Sequence, residues 1–158
     1  CTCSFRQPLL SSTRRTRAED HFMAKTTKSW RDKYNMRTAS ETKTLETPFA
    51  GMKPGQLMLI STPKEIDDWV RSLKPGEFRT IGDLRTALAM KHHAEVTCPA
   101  TTSIFLRIVA EVALEEIQAG AAEHAVTPFW RVIEPGSRLA SRLSCSNDWI
   151  ASMRSRES

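Results

Sequence analysis

The residues whose types bear most directly on chemistry lie in one run, Thr127-Pro128-Phe129-Trp130-Arg131-Val132. A phenyl ring has no lone pair and no acidic proton, so position 129 supplies no nucleophile. What two adjacent rings can offer is a stacking wall, worth about 1–3 kcal/mol for each base placed on an aromatic. Phe129 and Trp130 therefore suit either the wall of an aromatic pocket or the filling of a core. Thiols occur at Cys1, Cys3, Cys98 and Cys145. Cys98 precedes a helix start, where the dipole lowers a thiol pKa, so it is either an acceptor for a transferred group or a buried structural thiol. Cys145 is a second thiol open to the same question. His92-His93 with Cys98 lacks a fourth ligand, and neither a metal nor a cofactor is expected.

These residues need elements to hold them. Thr62-Pro63-Lys64-Glu65 opens a helix with a cap, a proline at its first position and a glutamate at its third; Ile66, Trp69, Val70 and Leu73 share its inner face. Lys74-Pro75-Gly76 stops it. Thr80 with Asp83 caps a second helix reaching about His92, with Ile81, Leu84 and Leu88 inward. A third helix opens at Thr101 or Thr102 and runs through Ile104, Phe105, Ile108, Val109 and Val112 to near Gly120. The pattern predicts a strand or a packing clasp over 56–61, a strand over 126–133, a turn at 134–137 and a last helix over about 148–156. Two helices joined by a short linker fit a helix-turn-helix or any small helical bundle. The expected fold class is α+β, mostly helical and winged-helix-like, with a small strand element.

Charge divides the chain. Residues 1–55 hold 11 Lys/Arg against 5 Asp/Glu, and residues 56–158 hold 12 against 13, so the net charge of +5 belongs to the N-terminal third. Residues 1–55 are expected to be a basic tail, disordered or loosely docked, and 56–158 the domain. Ser11 to Arg17 form a polar basic patch, and Met23 is an internal candidate start, so residues 1–22 read as an upstream extension, an arm or a targeting segment. Lys25, Lys28, Arg31 and Lys33 flank Trp30 and Tyr34, which suits either docking of bases and phosphates or a solvated segment whose Trp30 tucks onto the domain. No run approaches the ~20 apolar residues of a membrane span, and the thiols form no disulfide framework, so a reducing, cytoplasmic setting is the expectation.

Pro128-Phe129-Trp130-Arg131-Val132 resembles the Pro-Cys-His-Arg-Val motif of the O6-alkylguanine-DNA alkyltransferases, with Phe129 at the acceptor cysteine and Trp130 at the histidine. Lys74-Pro75-Gly76-Glu77-Phe78 and Thr80-Ile81-Gly82 are similar to the turn and the Thr-Tyr-Gly that open that family's helix-turn-helix. Cys98-Pro99-Ala100-Thr101-Thr102 and Thr127 to Arg131 are similar to short bacterial members of the same family. The resemblance covers about residues 63–158. It implies a DNA-binding domain whose third helix is the recognition helix, with Thr101, Thr102, Ser103 and Arg107 beside the DNA and Phe129, Trp130 and Arg131 beside the base.

The family's intercalating arginine falls near Thr102 or Ser103, its helpful tyrosine at Ile81, and its glycine-rich segment near Leu143 to Ser146. Three functional positions are thus changed together with the acceptor. The implied function is a non-enzymatic, alkyltransferase-like protein that recognises alkylated guanine in double-stranded DNA and holds it for other repair factors. The alternatives are a protein-interaction module that has lost DNA binding and an active transferase using Cys98.

Overall fold

A computed structural model describes residues 27–158, so the basic patch at 11–17, Met23, Cys1 and Cys3 lie outside the described residues. The described chain is α+β, with far more helix than strand. Helix α1 (Trp30–Asn35) leads into strand β1 (Glu41–Thr44), then β2 (Leu57–Ile60), α2 (Pro63–Ser72) and α3 (Ile81–Lys91). A two-residue β3 (Val96–Thr97), the long α4 (Pro99–Gln118) and α5 (Asn147–Glu157) complete the order. No helix among the described residues is long and apolar enough to cross a membrane.

Local side-chain chemistry starts the helices where the sequence places the starts. The Thr62 hydroxyl accepts the Glu65 amide at 3.2 Å, satisfying one of the free donors at the head of α2. Thr80 and Asp83 form the full reciprocal capping box of α3. One start differs. Helix α4 begins at Pro99, earlier than Thr101 or Thr102, because a proline needs no amide partner in the first turn. The Thr102 hydroxyl instead bonds back to the Cys98 carbonyl at 2.7 Å.

The sheet has the order β1-β2-β3, with β1 antiparallel and β3 parallel to β2. Leu59 of β2 joins the core from one face of the sheet, and Met58, pointing to the other face, is buried as well. The core gathers Ile66 and Val70 of α2, Leu84 and Leu88 of α3, and Ile150 and Met153 of α5 around α4, which is buried without interruption from Ile108 to Leu114. A stretch of helix buried on every side is one enclosed by its neighbours, and in α4 that stretch includes one charged residue, Glu111.

Two expectations are corrected. Residues 126–133 form no strand; Phe129–Arg131 is a single 3-10 turn, with the Val132 amide donating to the Phe129 carbonyl at 3.0 Å. Every residue from Val126 to Ile133 is buried, and an apolar run buried on all sides has no alternation to distinguish strand from turn. The second concerns the boundary at 55/56, which falls inside the connection between β1 and β2, so residues 41–44 belong to the sheet. Further upstream, α1 packs on α4: the Arg31 guanidinium pairs with Glu116, and the Tyr34 hydroxyl donates to Asp67 at 2.7 Å.

The turn after α2 depends on one glycine. Gly76 has φ +80°, and a Cβ there would meet the Glu157 backbone oxygen at 2.8 Å. Gly136, at φ +76°, has open space around it. Gly136→Ala therefore carries only the left-handed backbone cost, about 1–2 kcal/mol. Gly76→Ala is expected to lose clearly more in urea denaturation, because the end of α5 must also move. Equal losses for the two variants would show that α5 does not press on this turn.

Candidate functional site

The aromatic run is interior. Phe129 is fully buried and Trp130 is 2% exposed. With Trp149 of α5 they form a three-ring cluster: Phe129 stacks on Trp149 at 5.8 Å between centroids, and Trp130 meets each of them edge to face at 5.5 and 5.9 Å. This is the core reading of the two rings, since a base has no open ring face to stack on. Thr127 anchors the run from the other end, its hydroxyl donating to the Asp67 carboxylate.

Arg131 is held from three directions. Its Nε and one terminal nitrogen bind the two carboxylate oxygens of Glu157 at 2.8 and 2.7 Å, and its other terminal nitrogen binds the Leu73 carbonyl at 2.5 Å. The Trp130 indole donates to the same carboxylate at 3.1 Å, and the Gly76 amide at 3.3 Å. These bonds, Arg131's first, hold the Glu157 carboxyl below its ordinary range. Trp130, Arg131 and Glu157 line a cleft of about 500 Å³. Its other cations are also neutralised, Arg71 by Asp67 and Arg156 by Glu123.

A second cleft, of about 760 Å³, has the opposite character. It lies where the first residue of α3, the N-terminal half of α4, helix α1 and residues 137–142 meet. Lys33, Arg107, Arg138 and Arg142 line it, and among the described residues no carboxylate does. Among the described residues Lys33, Arg138 and Arg142 have no carboxylate within ion-pair distance, and Arg107 approaches only Glu111, at 3.9 Å. Most of the rest of the lining is apolar, including Trp30, Ile108 and Ile104, which is 56% exposed, with Ser103 and Ser137 as the polar exceptions. Four cations with a single, long ion pair among them, set beside apolar side chains, suit an anion with a flat or greasy part.

The structure thus separates the residues singled out in the sequence. Ser103 and Arg107 line the basic cleft; Trp130 and Arg131 line the neutral one; Phe129 lines neither. Thr101 is half-buried and bonds to the Cys98 carbonyl at 3.4 Å, while Thr102 is fully buried, which removes Thr102 from any surface contact. Cys98 is 5% exposed at the cap of α4, a structural position. Burial pushes the half-buried Cys145 thiol above its ordinary pKa, with the Glu111 charge adding to the effect, which leaves less thiolate to act as acceptor. His92 is occupied by Glu65, at 2.6 Å from its Nε2. Sequence reasoning missed Arg138 and Arg142, although their four-residue spacing was a signal, and it left Lys33 in the tail. Compared with known proteins, the chain matches no family model, no curated protein and no solved structure.

The Arg131–Glu157 pair predicts an acid limb in the stability curve. A carboxyl lowered on folding contributes fully above its unfolded value, about 4.3, and that contribution is lost as pH falls through the lowered folded value. Glu157→Gln is expected to destabilise the protein at neutral pH, with the gap to wild type closing as pH drops below about 4. A gap that is constant across that range in thermal melts would show that the charge of Glu157 is immaterial.

Proposed function

We propose that the chain is a non-enzymatic DNA-binding protein of alkyltransferase-like type, which holds duplex DNA carrying an alkylated guanine without removing the alkyl group. In this reading α3 and α4 act as a helix-turn-helix in a winged-helix-like arrangement, with α4 as the recognition helix. The observation that carries it is the basic cleft along the N-terminal half of α4, where four cations face an apolar floor with no carboxylate among them. Phosphates bind such cations and release condensed counterions, and the apolar floor suits an alkyl-bearing base better than a free anion.

The absence of transfer chemistry is supported by three positions. Phe129 stands at the acceptor place and is enclosed by Trp130 and Trp149. Cys98 is buried, and Cys145 is held towards its neutral thiol. No step of alkyl transfer has a nucleophile in this reading. The base, if extruded, is received by the cleft of Ser103, Ile104 and Arg107, because the rings at 129 and 130 are closed off.

Binding of the full chain to a labelled duplex, with and without one O6-methylguanine and over a salt series, tests the reading. Affinity is expected to fall on a log–log slope of about −0.9 per neutralised phosphate, and the lesion duplex is expected to bind more tightly. No binding to either duplex at low salt would sink the proposal and favour the interaction module, for which the exposed Ile104 would be the contact. Incubation with DNA bearing a radioactive O6-methyl group is expected to leave the protein unlabelled. Trp130→Ala should lower stability by about 3–5 kcal/mol, as for a core ring, and weaken both duplexes alike; selective loss on the lesion duplex would return Trp130 to the base.

A further inference from the structure

Helix α1 lies outside the part of the chain that resembles the alkyltransferases, yet it forms one wall of the basic cleft. Its position is fixed at several points. Ser29 and Asp32 close a reciprocal capping box at its start, Arg31 pairs with Glu116 of α4, and the Tyr34 hydroxyl bonds to Asp67 of α2. Burial and that hydrogen bond raise the Tyr34 pKa, so the phenol stays a donor. Trp30 is thereby held against α4 and brings two cations to one ring. The Lys33 ammonium lies 4.0 Å from its centroid and the Arg107 guanidinium 5.2 Å.

Among the described residues the only carboxylate within ion-pair distance of this cluster is Glu111, 3.9 Å from Arg107, and Lys33 has none. Two like charges at one ring repel each other, and an indole face offsets only part of that. The Nε of Arg107 is buried and has no hydrogen-bond partner. Its nearest carboxylate, Glu111, already accepts the amide and the hydroxyl of Ser144. The Arg107 side chain is 37% exposed although its Nε is enclosed, so the outer part of the guanidinium and the Lys33 ammonium are what a phosphodiester would meet, and its charge would offset their repulsion.

We infer that α1 is a DNA-gripping arm, in which Trp30 positions Lys33 and Arg107 on one phosphodiester segment of the bound strand. The inference rests on the DNA-binding reading and adds to it a contact from outside the helix-turn-helix. Trp30 is a positioning residue; the two cations make the contact. The ring's stacking faces serve the cations, so the arm grips backbone and reads no base.

Salt-series anisotropy with the full chain and a fluorescein-labelled duplex tests this. Lys33→Ala is expected to make the log–log slope shallower by about 0.9, the loss of one phosphate contact. Trp30→Ala is expected to remove about twice that, since both cations lose their support, and Trp30→Phe, which keeps a ring, should restore most of it. Both duplexes, with and without O6-methylguanine, should be affected equally. Arg107→Gln serves as the reference, because it changes the slope whether or not the arm takes part. If Arg107→Gln shifts the slope while Lys33→Ala and Trp30→Ala leave it at the wild-type value, the arm is overturned and the DNA-binding reading stands. If wild type binds no duplex, both fall together. Should Trp30→Ala fail to fold in circular dichroism, the half-buried Lys33→Ala, which removes no core ring, decides alone.

Discussion

A buried guanidinium is costly, and the structure turns on how this cost is met at Arg131. Removing one partner from such a pair typically costs about 3–5 kcal/mol, because the remaining charge is left without water. Arg131 is only 8% exposed and is satisfied by Glu157 and the Leu73 carbonyl. Those partners come from the end of α5 and the end of α2, so the ion pair can form only when both ends are in place. The same carboxylate takes the Trp130 indole and the Gly76 amide. One side chain therefore sets the register of the turn at 129–131 and of the loop at Gly76 against the last turn of α5.

With the motif's arginine committed to the fold, charge available for a ligand must come from elsewhere. Helix α4 divides this labour along its length. From Ile108 to Leu114 it is buried on every side, down to Glu111, whose carboxylate is taken by Ser144. Its earlier turns carry Ser103, Ile104 and Arg107 to the cleft. A rigid buried half holds an accessible half in place, which is the arrangement a binding surface needs.

The helix starts were legible because capping is local: Thr62 and Thr80 act on amides three residues away, a distance the sequence displays. The turn at 129–131 was not, because its conformation answers to contacts with Trp149 and Glu157, at the far end of the domain. The helix of residues 30–35 and the strand of residues 41–44 were missed for a related reason. Both are short and polar, and each exists by virtue of what it packs on or pairs with. Of the cleft, Ser103 and Arg107 could be read, since one helix carries both. Lys33, Arg138 and Arg142 come from two other segments, and only folding brings them beside Arg107.

Strand β1 has a consequence for how the molecule behaves in a crowd. It forms one margin of the sheet, its four residues Glu41, Thr42, Lys43 and Thr44 all exposed, and its outer row of amides and carbonyls faces away from β2. Such a margin is a template for a strand from another chain. Glu41 and Lys43 project on one face of it and only threonines on the other, so an incoming apolar strand would bury charge, including the Arg37–Glu41 ion pair, without gaining a dry face. The opposite margin, β3, is two residues long and offers too little to pair with. A sheet this small is thereby protected at both margins against polymerisation, by charge on one side and brevity on the other.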